Sequence, residues 1–313
     1  LYQAIKTLDN GDYRFNYAQK KCLHNELRDF HLGGIDLPKA KQKRYQVIQA
    51  QLAQLSNQFE ENLLDATANW SKCISDKSEL KGLPTYIIAS AEKAAKDKNM
   101  SGCLLSLDYP CYFPVLSYAD NRALRESVYK AYITRASEFG NMAFDNSPIM
   151  FKILNLRHEL SQLLGFKNYA QKSLASNKMA KTPEEVLSFL ENLLRCTQSK
   201  ADAEWQALYN FAQSRDQIDT LQPWDILYYR EKLQEKMFGI CDDTLRCYFP
   251  VEKVLSGLFK LIHDLFGMQI QEIKEVDVWD PAVRFFSIID RRQQRRGHFY
   301  LGPYARLENR EGA

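Results

Sequence analysis

Apolar side chains recur at helical spacing along most of the chain. Between residues 39 and 70 they return at steps of three and four, which places them on one face of a long helix: Tyr45, Ile48, Leu52, Leu55, Phe59, Leu63 and Ala66. The same spacing, together with the terminal residues, predicts further helices over 121–137 capped by Asp120, from Pro148 to a stop at Gly165, from a Thr182 cap to about Phe211, over 223–238, and from Pro250 to a stop at Gly267.

Two stretches break the helical pattern. Residues 104–118 contain Pro110 and Pro114 among aromatic and β-branched side chains, a composition that predicts extended chain. Residues 283–289 and 298–301 are apolar runs on either side of a polar turn, which predicts a β-hairpin. The expected fold is therefore mainly α, with a small β-hairpin near the C-terminal end.

Composition narrows the class of protein. The chain has 313 residues, is 45% hydrophobic and carries a formal charge of +3, which excludes a disordered or low-complexity chain and suits one large domain or two. So small a net charge gives no global signal for nucleic acid or anionic lipid. The seven cysteines have irregular spacing without a C-x-x-C pair, which argues against a disulfide framework or a cysteine zinc site. No run approaches the ~18 apolar residues of a membrane span. We therefore expect a cytoplasmic protein with neither nucleic acid nor membrane as a partner.

Short catalytic motifs are absent or incomplete. There is no phosphate-binding glycine loop and no G-x-S-x-G nucleophile turn. His158-Glu159 begins an H-E-x-x-H zinc motif, but Gln162 occupies the position of the second ligand, so a surface or interhelix role is expected for His158. His24 and His31 are seven residues apart, ~10 Å along a continuous helix, which is too far for one ion. The residues thus predict no catalytic group and no metal ligand in this chain.

Three other groups invite a functional interpretation, and each has a simpler structural one. The arginines of the predicted hairpin turn lack interleaved aromatics and are expected to be solvated: Arg291, Arg292, Arg295 and Arg296. The paired carboxylates Glu184-Glu185 and Asp242-Asp243 are typical of helix starts. The aromatics at the start of the 223–238 helix are typical of a core: Trp224, Tyr228 and Tyr229.

An ordered series of segments is more specific than any single motif. It runs NELRDF (25–30), GIDLP (34–38), LDAT (64–67), DNRALR (120–125), TRAS (134–137), LRHEL (156–160), LLGF (163–166), PWD (223–225), YFP (248–250), VWDPAVRFF (278–286) and YAR (304–306). This series resembles the thimet oligopeptidase family of zinc endopeptidases over nearly the whole chain.

The resemblance implies an elongated, multi-helix zincin-type oligopeptidase architecture around a deep channel that admits short unstructured peptides and excludes folded proteins. It also implies a catalytic zinc held by the two histidines of an H-E-x-x-H helix and a glutamate of a following helix, with the motif's own glutamate as general base. In the family that motif follows the strand on which this chain stops. We therefore expect a fragment, incomplete in fold, in which 1–115 is part of an N-terminal helical domain. Residues 116–313 would be the N-terminal portion of the catalytic domain, so zinc belongs to the intact enzyme and is not bound by this chain.

Only Gly312 and Ala313 can be carried over as site residues. In the family the stretch after Tyr-Ala-Arg lines the cleft, and its edge can pair with substrate backbone. A glycine-containing strand end without a substrate role is the alternative interpretation of the same residues. The chain departs from the family pattern at Gly302-Pro303 and Glu311, and Pro303 removes one backbone hydrogen-bond donor.

Two functional hypotheses follow. In the first, the chain is part of a zinc-dependent oligopeptidase that hydrolyses short cytoplasmic peptides, including released signal peptides, and is inactive alone. In the second, it is a genuine short protein, a non-catalytic helical peptide-binding or scaffold module.

Overall fold

A computed structural model describes residues 1–11, 13–176, 178–239 and 245–304, and most of these residues are helical. The α-helices are α1 Tyr2–Asn10, α2 Tyr17–Leu32, α3 Lys39–Asn69, α4 Thr85–Asp97, α5 Tyr109–Tyr118, α6 Arg122–Ile133, α7 Ser147–Leu163, α8 Tyr169–Leu174, α9 Pro183–Asp216, α10 Pro223–Phe238 and α11 Val251–Phe266. The strands are β1 Ser71–Ile74, β2 Cys103–Ser106, β3 Gln269–Ile273, β4 Arg284–Ile289 and β5 Arg295–Leu301. The prediction of a mainly α fold with a small β element is confirmed.

The chain divides into two compact units. The first comprises Leu1–Trp70 and Lys130–Asn210, and the second comprises Ser71–Tyr129 and the residues from Phe211 onward. In the first unit α3 packs against α7. Ile48 of α3 is fully buried with Leu160 and Leu164, because the apolar face predicted for this helix meets the apolar face of α7.

Helix ends follow their local chemistry. The Thr182 hydroxyl accepts a hydrogen bond from the Glu185 backbone N–H at 3.2 Å, so the predicted cap of α9 is confirmed. The α9 helix ends at Asp216, five residues beyond the predicted end. Gly267 closes α11 with φ of 67°, a left-handed conformation that suits glycine.

The prediction of extended chain over 104–118 is wrong beyond β2, because α5 occupies Tyr109–Tyr118. Pro110 lies in the first turn, where a helix needs no N–H, so it does not prevent the helix. The Asp108 carbonyl accepts from the Tyr112 N–H at 2.8 Å to close that turn. Pro114 lies within the helix and is buried, as is Val115, so tertiary packing offsets its missing hydrogen bond.

The predicted cap of α6 is also wrong. The Asn121 side chain, not that of Asp120, accepts a hydrogen bond from the Leu124 N–H at 3.1 Å. Asp120 instead accepts from the Tyr228 hydroxyl at 3.0 Å. The helix starts one residue after Asn121, so asparagine stands at the capping position.

The predicted hairpin is confirmed as β4 and β5, which pair antiparallel with Phe286 opposite Phe299. A third strand, β3, pairs with the other side of β4 and was not predicted. The α11 helix, which precedes β3 in the chain, packs on this sheet and sets the Phe259 ring edge-on against Phe286, with 5.2 Å between ring centroids. None of the described helices combines the length and the apolar character needed to cross a membrane.

Candidate functional site

A buried cluster of charges joins α6 to α10 in the second unit. Asp225 lies in the first turn of α10, where a carboxylate is favoured, and is fully buried. It accepts hydrogen bonds from Arg122 Nη2 at 2.6 Å and from Arg125 Nη2 at 2.9 Å. The two arginines are three residues apart, so one face of α6 presents both to the same carboxylate.

Arg125 is 1% exposed and its guanidinium is closely surrounded. It donates to the Ala119 carbonyl at 2.7 Å and to the Trp224 carbonyl at 3.2 Å. Its charge lies over the Tyr228 ring, with Cζ 4.1 Å from the centroid. These contacts compensate the cost of burying a charged side chain.

The cluster shifts the pKa values of its members. Burial acts to raise the pKa of Asp225, but hydrogen bonds from Arg122, the Gln222 backbone and Arg125 outweigh it, and the pKa lies below its usual range. Burial, with a hydrogen bond to Asp120, raises the pKa of Tyr228 to about 12. Burial, with a hydrogen bond to Asp216, also raises the pKa of Tyr229 above its usual value.

This cluster brings together two segments of the family resemblance, 120–125 and 223–225, with the tyrosines that follow. Tyr228 and Tyr229 are 4% and 2% exposed, so the prediction of core residues is confirmed for these two, whereas Trp224 is half-buried. Asp225 accepts hydrogen bonds from both arginines, so the cluster stabilises the packing of α6 against α10 and has a structural role. Sequence reasoning did not identify Arg122, Arg125 and Asp225 as partners, because no local spacing relates residues about a hundred positions apart.

The residues around His158 do not fit a zinc ion. The Glu159 carboxylate accepts from Arg44 Nε and Nη2, both at 2.6 Å, and this holds the pKa of Glu159 below its usual range. Gln162, in the place of a second ligand, donates to the Lys167 carbonyl at 2.9 Å. Across the ranges that the structure describes, no three His, Cys, Asp or Glu side chains are grouped as a metal ion would require.

His31 has a local role in the first unit. Its Nδ1 lies 2.7 Å from Asp36 Oδ2, and its Nε2 lies 3.0 Å from the Leu164 carbonyl oxygen. Both ring nitrogens thus contact groups of the fold, whereas His24 is exposed on α2.

The arginines of the hairpin lie in and beside an ordered turn. Asp290 accepts from the Arg292 and Gln294 backbone N–H groups at 2.8 and 2.9 Å. Arg296, at the start of β5, pairs with Asp290 at 2.6 Å. The four arginines are exposed, as a solvated turn requires.

The predicted site residues Gly312 and Ala313 lie outside the described residues, as do Asp242 and Asp243. In the sequence, β5 ends at Leu301, eleven residues before Gly312. Within the described part of the chain, β5 pairs with β4 on one side and ends the sheet on the other. Such an edge presents backbone N–H and carbonyl groups that another strand can use.

Comparison with known proteins agrees with the resemblance. A family model described as peptidase family M3 matches residues 115–313. The chain is 49% identical to oligopeptidase A of Escherichia coli and 45% identical to oligopeptidase A of Haemophilus influenzae. It is 36% identical to a probable cytosolic oligopeptidase A of Arabidopsis thaliana. Each match covers 100% of this chain and 46% of the relative, so the chain spans about half the length of these relatives. The chain belongs to peptidase family M3.

Proposed function

We propose that this chain supplies one part of a zinc-dependent oligopeptidase that hydrolyses short peptides inside a channel. The observation that carries the proposal is the family match over residues 115–313, joined to identities of 45–49% with two bacterial oligopeptidases A. We place the metal ligands and the general base on the part of the enzyme that this chain does not span, and the 46% coverage of the bacterial relatives leaves room for them. The chain alone would therefore be inactive.

We further propose that 116–313 is the N-terminal portion of the catalytic domain and that 1–115 is part of a helical domain before it. The start of the family match at residue 115 supports this boundary. Gly312 and Ala313 would line the cleft, where small side chains let a substrate backbone approach the strand edge. Their position after the edge strand β5 supports this role.

The proposed substrates are short, unstructured peptides of the cytoplasm, including released signal peptides. The names of the bacterial relatives support an oligopeptide substrate, and the name of the cytosolic Arabidopsis relative supports the compartment.

The test is a peptidase assay on two matched proteins. One is the 313-residue chain with added zinc, and the other is the same chain fused to the part of E. coli oligopeptidase A that follows the matched region. With a quenched fluorescent peptide, we expect turnover that a chelator abolishes from the fusion only. Chelator-sensitive turnover by the chain alone would contradict the proposed inactivity. Tight peptide binding by the chain alone, with an inactive fusion, would favour the scaffold hypothesis instead.

A further inference from the structure

The α11 helix carries an apolar stripe whose side chains are all more than a third exposed among the described residues. Its members are spaced by three, four, three and four residues, and their exposed fractions rise along the helix: Val251 38%, Val254 46%, Leu258 47%, Leu261 53% and Leu265 63%. This alternation is the spacing of the a and d positions of a coiled coil, whose side chains insert between those of a neighbouring helix. We call these five residues the α11 seam.

The seam is distinct from the face that holds α11 on its own sheet. That face consists of Leu255, Phe259 and Ile262, which are half-buried, and Phe259 contacts Phe286 of β4. At 100° per residue, the centre of the seam lies about a quarter turn away from this face. Attachment to the sheet therefore does not explain the apolar character of the seam.

A glycine beside the seam points to the close approach of another backbone. Gly257 lies in the interior of α11, where glycine lowers helix stability relative to alanine. Its φ is not in the left-handed region, and a Cβ at this position would meet nothing within 4 Å. Nothing in the described part of the chain thus requires glycine here. A helix packed against the seam could come closer to α11 because Gly257 has no side chain.

We propose that the α11 seam is the docking face for a helix from the part of the M3 polypeptide that follows the matched region. The relatives are more than twice as long as the matched region, so they contain a large amount of polypeptide that could cover it. The heptad spacing fits a helix rather than a strand. The inference rests on the proposed function, because it assumes that the chain acts together with that remaining part.

The test compares two charge substitutions on the same helix. Leu258→Glu places a carboxylate in the seam, and Lys260→Glu, the matched control, places one on the polar side of α11. Each tagged chain is co-expressed with the untagged part of E. coli oligopeptidase A that follows the match, and the affinity of the purified pair is measured. We expect Leu258→Glu to weaken binding by about tenfold or more, equivalent to about 1.4 kcal/mol, and Lys260→Glu to leave it nearly unchanged. Thermal unfolding of each chain alone checks that both variants fold.

Gly257→Ala gives a second measurement with opposite signs. In the chain alone the substitution should raise the melting temperature, because alanine favours the helix and its Cβ meets open space. In the pair it should weaken binding, because the methyl group obstructs the approaching helix. A general loss of folding would move both readouts downward.

Equal affinities for Leu258→Glu and Lys260→Glu would overturn the inference. So would a dimer of the chain alone that Leu258→Glu converts to monomer, because a second copy would then be the occupant. Peptidase activity of the pair is recorded separately. Binding that depends on the seam but yields no activity would contradict the proposed function and support the docking face. An active pair whose affinity is unchanged by Leu258→Glu would support the proposed function and contradict the docking face.

Discussion

At the scale of single residues, Asp225 is a fully buried carboxylate that pairs with two arginines of the second unit. It neutralises Arg125, which is itself 1% exposed. Asp225→Ala would leave that guanidinium charged and without its carboxylate, a change that costs about 3–5 kcal/mol when a buried pair is broken. Urea unfolding of the variant should show a loss of this size. The exposed pair of Arg44 and Glu159 is the control, since Glu159→Ala should change stability little. Equal losses for the two variants would contradict a special role for the buried pair.

Tyr228 makes stability depend on alkaline pH. Its pKa rises from 10.0 to about 12 in the folded protein, so the folded state holds the phenolic proton more tightly than the unfolded state. Its contribution to stability is therefore fully present below pH 10 and is lost as the pH rises from 10 through 12. Tyr228→Phe has no such proton.

We expect the stability advantage of wild type over Tyr228→Phe to be constant from pH 7 to 9 and to shrink above pH 10. Paired unfolding measurements across this range check it. A difference between the two proteins that stays constant through pH 11 would show that the phenol titrates normally.

At this scale the sequence predicted which side chains are buried better than it predicted which side chains pair with each other. Tyr228 and Tyr229 were expected in the core because aromatic side chains on a helix usually pack there, and they do. That Asp225 would pair with Arg122 and Arg125 could not be expected from spacing, since it depends on how two distant helices meet. Asn121 and Asp120 are both good capping residues, so only the helix start decided which one caps.

At the scale of elements, the turn between β4 and β5 depends on Asp290. Its carboxylate accepts from two backbone N–H groups and from Arg296. Hydrogen bonding from Gln294 is the main reason that its pKa lies below the usual range.

Two substitutions separate these contributions to the turn. Asp290→Ala should lower the melting temperature, and Asp290→Asn should lower it less, because an amide oxygen still accepts from the backbone but does not pair with Arg296. The carboxylate stabilises the fold above its unfolded-state pKa, so lowering the pH through the folded-state pKa should reduce the gap between wild type and Asp290→Ala. A gap that grows in acid would contradict this assignment.

The long periodic helices were the most predictable elements. The helix expected over 39–70 is α3, and the helix expected over 223–238 is α10, because strong periodicity and clear ends act together there. The α5 helix was missed because its two prolines were interpreted as a break, although one lies in the first turn and the other is buried. Strand β3 was missed because QIQEI carries too few apolar residues to show a pattern, and its pairing with β4 determines its structure.

At the scale of the whole molecule, the family and the mainly α class could be predicted, but a catalytic site could not be assembled. The segments that carry the resemblance are spread along the chain, and together they identify the family. Among the described residues, two of those segments, 120–125 and 223–225, meet in the buried ion pair of Arg125 with Asp225. The predicted contact residues Gly312 and Ala313 remain a prediction.

Exposed apolar surface should dominate the behaviour of the isolated chain. The first half of α9 has exposed leucines at Leu187, Leu190 and Leu194, spaced along one face as in a packed helix. Because contiguous exposed apolar surface promotes association, the chain should bind a hydrophobic dye and aggregate at modest concentration.

The double substitution Leu190→Gln with Leu194→Gln should reduce both dye binding and aggregation. Each of the two substitutions should change the free energy of unfolding by only about 0.5 kcal/mol or less, since these side chains are already exposed. Leu160→Ala, in the core between α3 and α7, is the control and should cost about 2–5 kcal/mol without reducing dye binding. Dye titration, light scattering and urea unfolding of the variants check these outcomes. If the double α9 variant lost as much unfolding free energy as Leu160→Ala, the exposed leucines of α9 would already be packed in the chain alone.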